Sequence, residues 1–237
     1  MKEEKRGFDA FARQYDEKLD ERVAPYGFSS SSYFDEQKVR HMAGFLNRLG
    51  AAVQPLAFLN FGCGIGKSEP YIRRYLSGSV IYSVDVSGES IAVAREKNKD
   101  LSNVFFSVFD GVNVPFEADF DVIMAANVFH HIPRGDHAGV LRSLRGRLKK
   151  GGHIFIFEHN PLNPLTRLVV RSCAFDEDAV LLGPCYARRI LRESGFELCK
   201  LQFIVFFPEA LSLLLPLEAL LHAVPFGAQY CVVASNS

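Results

Sequence analysis

Glycine and acidic residues follow two short apolar runs of the chain, and their types favour the binding of a nucleoside. The first run leads into Gly62, Gly64 and Gly66 in a GxGxG spacing, and the second ends in Asp85. Glycines let the backbone turn tightly and approach a ligand, and the helix that follows directs N–H groups at it. An aspartate about 20 residues further on can accept hydrogen bonds from ribose hydroxyls. Each feature alone also fits an ordinary turn or a helix cap, but together they favour a site.

Three further apolar runs end in polar residues. Asp110 follows the third run and could bind an exocyclic amine or only form a turn. Asn127 follows the fourth run, ahead of His130 and His131, and Glu158-His159-Asn160 follows the fifth. Histidine exchanges protons near neutral pH, so His159 and His131 are candidate general bases. The alternative is that these histidines only fix the loops in which they lie.

The elements that must position these residues alternate between strand and helix. The runs LAFLNF, SVIYSVD, NVFFSVFD, FDVIMAANV and GGHIFIFE have strand length and are separated by helical stretches. This alternation predicts βαβ units around a parallel sheet, in which ligands bind beyond the carboxyl ends of the strands. Apolar residues at helical spacing predict two amphipathic helices before residue 50, separated by a polar loop over residues 27–34.

Composition excludes several classes of protein. The 237 residues include 27 Lys plus Arg and 27 Asp plus Glu, so the net charge is zero and nucleic-acid binding is disfavoured. The five cysteines show no metal-ligand spacing, so no metal site is predicted. The amino terminus lacks the apolar stretch of a signal peptide, which predicts a cytoplasmic location. Prolines and charges interrupt the apolar carboxyl-terminal region, so no stable membrane insertion is expected.

The order of the motifs resembles one enzyme family. LNFGCGIGKS, VDVSGESIAVAREK, FSVFDG, FDVIMAANVFHHIP and LKKGGHIFIFEH are similar to the successive motifs of class I S-adenosylmethionine-dependent methyltransferases. The amino-terminal FDAFARQYDE resembles the cofactor-covering helix of the small-molecule (type 11) subgroup, which includes quinone-biosynthesis enzymes. The resemblance implies an α/β fold: a doubly wound, Rossmann-like seven-stranded sheet in the order 3-2-1-4-5-7-6, with helices on both faces. QYCVVAS would be the last, antiparallel strand.

The resemblance also implies S-adenosylmethionine as the cofactor and assigns roles to single residues. The three glycines would pass under its methionine and ribose, Asp85 would hold both ribose hydroxyls, and Asp110 would meet the adenine amine. The backbone near Asn127 would face the methionine amino group, and Phe11 and Tyr15 would close the pocket. Asn60 stands where the family usually has Asp or Glu, which gives up a charge near the cofactor. The implied cofactor-binding residues are Tyr15, Asn60, Gly62, Gly64, Gly66, Asp85, Asp110 and Asn127.

The expected organisation is a helical cap over residues 1–50 and a methyltransferase domain over residues 51–237. Two insertions, residues 161–183 with the acidic stretch 175–178 and residues 208–227, are expected on the acceptor side. The expected reaction transfers a methyl group by in-line displacement to a small-molecule, glycan or lipid-linked acceptor. A protein that binds the cofactor without turnover is the alternative, and the GxGxG spacing opposes a nicotinamide-dependent reductase. The sequence leaves the acceptor, the methylated atom and the oligomeric state open.

The leucine-rich stretch within residues 208–227 predicts an apolar helix that packs on the domain and lines or covers the acceptor pocket. Pro216 should break or kink this helix. Packing in the core, a lid, a dimer contact and peripheral membrane attachment are the alternatives. Attachment is the least favoured of these, since the stretch carries no Lys or Arg to meet anionic head groups.

Overall fold

A computed structural model describes residues 15–51, 55–171 and 180–237, and seven of its strands form one sheet. The order β3-β2-β1-β4-β5-β7-β6, with β7 antiparallel to both of its neighbours, confirms the predicted fold. The strands are β1 (Ala57–Phe61), β2 (Val80–Asp85), β3 (Val104–Val108), β4 (Phe120–Ala126), β5 (Leu148–His159), β6 (Glu197–Ile204) and β7 (Gln229–Ser235).

Helices connect the strands and cover both faces of the sheet. They are α1 (Tyr15–Val23), α2 (Ser32–Arg48), α3 (Glu69–Tyr75), α4 (Gly88–Lys97), α5 (His137–Gly146), α6 (Pro164–Arg171), α7 (Pro184–Glu193) and α8 (Glu218–Leu221). Short 3-10 helices span Ala24–Tyr26, Phe129–His131 and Glu209–Leu217. Ser87 caps α4 as predicted, since its hydroxyl accepts the Ser90 N–H at 3.0 Å.

The core has two layers because alternate residues of each strand point to opposite faces of the sheet. Leu59 and Phe61 of β1 enter one layer, while Phe58 enters the other. Helix α2 packs into that second layer through Met42 and Leu46, which are fully buried. Helix α2, which lies within the expected cap, thus packs on one face of the sheet.

The leucine-rich segment is helical but lies outside the core. Its 3-10 helix contains Pro216, and Leu213 and Leu220 are 93% and 79% exposed. The buried side chain here is Glu218, whose carboxylate accepts the N–H groups of Phe206 and Phe207 at 2.7 and 3.0 Å. Core packing of the leucines is therefore a wrong prediction. The Glu218 carboxylate attaches the segment to the domain, while Leu213 and Leu220 face outwards.

None of the helices within the described ranges has both the length and the apolar character needed to cross a bilayer. The acidic stretch 175–178, expected near the acceptor, lies outside the described residues.

Candidate active site

A cavity of about 900 Å³ lies along the carboxyl edge of the sheet. The sequence-predicted residues that line it are Asn60, Gly62, Gly64, Asp85, Asp110, Asn127, His131 and His159. Gly66 is not on its wall, and the side chain of Tyr15 lies outside the described part of the chain. The fold thus brings residues from five strand ends to one cavity, as expected for an open α/β sheet.

The three glycines of the loop after β1 serve different purposes. All three have positive φ, at 74°, 54° and 74° for Gly62, Gly64 and Gly66. A Cβ on Gly62 would lie 2.4 Å from Val128 Cγ2, and one on Gly66 would lie 2.5 Å from Asn98 Nδ2. A Cβ on Gly64 would meet nothing within 4 Å. Gly64 therefore presents bare backbone to the cavity, whereas Gly66 allows the loop to pack on α4.

Asp85 connects the end of β2 to the glycine loop. Its Oδ2 accepts the Gly64 N–H at 2.8 Å, and its Oδ1 accepts the Ser87 N–H at 2.9 Å. Asp85 also lines the cavity, and a carboxylate oxygen can accept more than one hydrogen bond. Asp85 can thus fix the loop and bind a ligand at once.

Asp110 closes a tight turn after β3. Its carboxylate accepts the N–H groups of Val112 and Asn113 at 2.8 and 2.6 Å, together with the Asn113 side-chain amide at 2.8 Å. These hydrogen bonds, led by the Asn113 N–H, lower the pKa of Asp110. Asp110 therefore stabilises this turn, and it also lines the cavity.

Asn127 carries a polar atom that the fold does not satisfy. Its backbone is left-handed, with φ of 57°, and its N–H donates to Phe157 O at 2.8 Å. Its Oδ1 is buried and has no hydrogen-bond partner among the described residues. Burying an unsatisfied acceptor costs about 1–3 kcal/mol, and in a cavity wall such an atom favours a ligand donor.

A buried acid, Glu69, lies behind Asn60. The Glu69 carboxylate accepts the Asn60 Nδ2 at 2.9 Å and the Ser83 hydroxyl at 2.7 Å. Burial raises the pKa of Glu69, while these two hydrogen bonds oppose the rise. Glu69 lies in the first turn of α3, where the helix dipole favours a carboxylate. Sequence reasoning missed it because the two residues meet only when α3 folds against β1.

The amino-terminal helices are tied to the rim of the cavity by polar contacts. Asp20 on α1 accepts both the N–H and the hydroxyl of Ser31, at 2.7 and 2.5 Å. Lys67, directly after the glycine loop, donates to the same Ser31 hydroxyl. Leu19 and Val23 of α1 line the cavity beside these contacts. Helix α1 is therefore linked, through Ser31 and Lys67, to the rim of the cavity next to the glycine loop.

A buried histidine–carboxylate pair lies on the opposite side of the cavity. His130 Nδ1 is 2.5 Å from Glu158 Oε2, and Glu158 Oε1 accepts the Phe129 N–H at 2.9 Å. Burial alone would raise the pKa of Glu158, but the charge and hydrogen bond of His130, with His159, lower it overall. The ring of His130 lies 4.1 Å from that of His131 and 5.4 Å from that of His159.

His130 is a third candidate base that sequence reasoning passed over in favour of its neighbours. It lines the cavity, and Glu158 fixes its ring. One signal was available: an acid at the end of an apolar strand, such as Glu158, needs a buried partner.

Gln229 at the start of β7 is a further residue that sequence reasoning missed. It pairs with His159 across β5 and β7, is 3% exposed and lines the cavity. Its Oε1 has no hydrogen-bond partner in the described ranges. Apolar neighbours complete this half of the cavity: Leu165, Val169, Val205, Phe206, Phe207 and Pro208. This half thus offers an apolar wall with a few polar groups, as small-molecule sites do.

Comparison with known proteins decides the family of this core. Residues 59–156 match the family described as a methyltransferase domain. The chain carries a methyltransferase domain. The resemblance to class I S-adenosylmethionine-dependent methyltransferases is thereby confirmed, and the matched residues include the glycine loop and the strand ends that line the cavity.

Relatives extend the likeness beyond the methyltransferase domain. The chain is 28% identical over 145 residues to trans-aconitate 2-methyltransferase of Rhodopseudomonas palustris. The aligned region covers 61% of this chain and 54% of that protein. The matches to the first curated relatives span only 25% to 54% of their lengths.

Solved structures share the fold. A SAM-dependent methyltransferase from Thermotoga maritima, titled a possible histamine N-methyltransferase, has a TM-score of 0.70 at 15% identity and covers 99% of this chain and 100% of its own. Magnesium protoporphyrin IX methyltransferase from Synechocystis, solved with bound SAH, has a TM-score of 0.60 at 16% identity. The match covers 85% of this chain and 83% of that one.

Proposed function

We propose that this chain transfers a methyl group from S-adenosylmethionine to a small-molecule, glycan or lipid-linked acceptor. The observation that carries the proposal is the pairing of two features in one cavity: bare backbone at Gly64 and an unsatisfied acceptor at Asn127 Oδ1. An ammonium group is a donor that would satisfy this oxygen, and the cofactor's methionine part carries one. The matched domain and the methyltransferase relatives support the same assignment.

The residues along the cavity support cofactor binding. Asp85 would accept hydrogen bonds from the ribose hydroxyls, and Asp110, which follows the neighbouring strand, would meet the adenine amine. Asn60 with the Glu69 carboxylate behind it would take the place of the acid that the family usually has near the methionine part. The volume of about 900 Å³ is near the upper end of the range of about 300–1,000 Å³ for small-molecule sites, which leaves room for an acceptor.

The acceptor half of the cavity favours a molecule with an apolar body and a hydroxyl group. When bound, S-adenosylmethionine supplies an electrophilic methyl group. The protein then has to orient the acceptor and exclude water, and orientation can contribute about 7–11 kcal/mol. One of His130, His131 and His159 can take the acceptor's hydroxyl proton as the oxygen–methyl bond forms, and Gln229 lies on the wall of the same cavity, where its side chain can orient the acceptor.

Calorimetric titration with S-adenosylhomocysteine tests cofactor binding. Gly64→Val should weaken binding by about 5- to 150-fold, because overpacking costs about 1–3 kcal/mol. Gly50→Val is the matched control: Gly50 also has a positive φ, of 70°, and open space around its Cβ, but it does not line the cavity. Both variants share the backbone strain, so only Gly64→Val should lose affinity. No binding by the wild-type protein would refute the proposal.

Turnover separates the enzyme from a protein that only binds the cofactor. Formation of S-adenosylhomocysteine from S-adenosylmethionine in the presence of hydroxylated acceptors is the expected result. Tight binding without product from small-molecule, glycan and lipid-linked acceptors would support the non-catalytic alternative.

A further inference from the structure

A second cavity, of about 390 Å³, lies between α2, β6 and the leucine-rich segment. We call it the basic cavity, because its wall includes Arg40, Arg48, Lys200, His41 and His222. Residues 37, 40, 41, 44 and 48 lie along one side of α2, while residues 200, 202 and 204 lie on one face of β6. Asp35 and Lys38 of α2 line the large cavity instead, so the two cavities lie on different sides of that helix.

Positive charge in the basic cavity is not compensated. Arg48 and Lys200 make no ion pair with any residue that the structure describes. Glu218 is the acid on the wall, and its carboxylate already accepts two backbone N–H groups. His41 lies close to these charges. Its pKa is lowered to about 3, first by burial and then by the charges of His222, Arg48 and Lys200.

The basic cavity is also lined by two neighbouring polar side chains. Gln202 is 4% exposed, and it lines the cavity together with His41. A hydrogen bond with Gln202 opposes the fall in the pKa of His41, so these two side chains are partners of each other. His222 is fixed beside them by its Nδ1, which donates to Phe203 O at 2.9 Å. An anion in the basic cavity would therefore be held by the charges of Arg40, Arg48 and Lys200, which lie on its wall.

The segment that forms one wall of the basic cavity exposes leucines to solvent. Leu215, Pro216 and Ala219 line the cavity, while Leu213 and Leu220 of the same segment are 93% and 79% exposed. Fully exposed leucines next to a basic cavity combine the two attractions that hold peripheral proteins on anionic membranes. The sequence alone counted against attachment because the segment lacks Lys and Arg, but the fold supplies those cations from α2 and β6.

We propose that this surface docks on an anionic phospholipid membrane, with a headgroup phosphate in the basic cavity and Leu213 and Leu220 in the lipid. Glu218 of the segment also holds Phe206 and Phe207, which line the large cavity. A chain docked in this way would suit a lipid-linked acceptor. That last consequence rests on the proposed function, whereas membrane binding does not.

Vesicle co-sedimentation tests the docking surface. The full chain should sediment with vesicles of equal parts phosphatidylcholine and phosphatidylglycerol, and not with phosphatidylcholine alone. Arg48→Gln combined with Lys200→Gln should weaken binding by about thirtyfold, the expected loss for two cations near an anionic surface. Leu213→Ser with Leu220→Ser should weaken it by about tenfold or more, and their exposure makes a folding defect unexpected.

Two controls change residues elsewhere: one removes the same charge, and the other removes one exposed apolar side chain. Lys150→Gln with Arg192→Gln removes the same charge from exposed positions outside both cavities. Val108→Ser removes an exposed apolar residue at the opposite edge of the sheet. Neither control should change vesicle binding.

Three results would overturn the proposal. The first is a wild-type protein that stays in the supernatant with anionic vesicles. The second is loss of binding in the charge variant but not in the leucine variant, which would mean electrostatic adsorption only. The third is binding of inorganic phosphate, detected by calorimetry, without vesicle binding, which would assign the basic cavity to a soluble anion. Because no arm uses S-adenosylmethionine, failure here is distinguishable from failure of the proposed function.

Discussion

The buried pair of His130 and Glu158 links the stability of the fold to the chemistry of the cavity, and Glu158→Gln probes it. Both side chains are at most 1% exposed, and the carboxylate also accepts the Phe129 N–H. Glutamine keeps the shape but removes the charge. Hydrogen bonds to charged groups are worth about 1.5–3 kcal/mol, so the variant should lose about that much unfolding free energy. Glu158→Ala should lose about 3–5 kcal/mol, because it leaves a buried partner unpaired.

The pH dependence of this loss follows from the direction of the pKa shift. The pKa of Glu158 lies below its ordinary value of 4.5 in the fold. The stabilisation by the carboxylate is therefore fully present above about pH 4.5 and is lost as the pH falls through the lowered value. The gap in unfolding free energy between the wild type and Glu158→Gln should be constant near neutral pH and should narrow in acid.

Urea unfolding followed by far-UV circular dichroism measures this gap, since the chain has no tryptophan for fluorescence. Glu197→Gln is the matched control, because Glu197 is exposed on β6, and it should change stability by less than about 0.5 kcal/mol. Equal losses in the two variants at neutral pH, or a gap for Glu158→Gln that does not narrow in acid, would show that the Glu158 carboxylate does not stabilise the fold.

Three further predictions follow from the same contacts. His159→Ala should lower turnover of a hydroxyl acceptor by about 100-fold or more without changing affinity for S-adenosylhomocysteine; the same loss in His130→Ala alone would move the base to the pair with Glu158. Gln229→Met should leave unfolding free energy unchanged or raise it by up to about 2 kcal/mol, since it removes an unsatisfied buried atom, while methyl transfer falls; a less stable variant with full activity would show that Gln229 only supports the fold. His41, with its pKa lowered from 6.5 to about 3, should make stability rise with pH between those values by at most about 1.4 kcal/mol per pH unit. Chemical denaturation across that range should show a flatter profile for His41→Asn, and an unchanged profile would contradict this account.

The fold could be predicted from the sequence because its signals are local. The apolar runs that became β1 to β5, the helix cap at Ser87 and the glycine loop each lie within a few neighbouring residues. The order of the sheet came from the resemblance of the motifs rather than from periodicity, which cannot specify how strands are arranged.

The features that escaped prediction all depend on contacts between distant parts of the chain. Glu69 meets Asn60 only across α3 and β1, and His130 meets Glu158 only because β4 and β5 are neighbours. Gln229 enters the cavity because β7 inserts beside β5. The outward-facing leucines follow from Glu218, whose partners are backbone N–H groups that no sequence pattern reveals.

A crystal structure of the protein with S-adenosylhomocysteine would show directly whether the large cavity binds the cofactor. We expect the ligand in the large cavity, in contact with the Gly64 backbone, with its ribose hydroxyls on Asp85 and its amino group on Asn127 Oδ1. A ligand bound elsewhere, or one in the cavity that leaves both Asp85 and Asn127 without contact, would contradict this expectation.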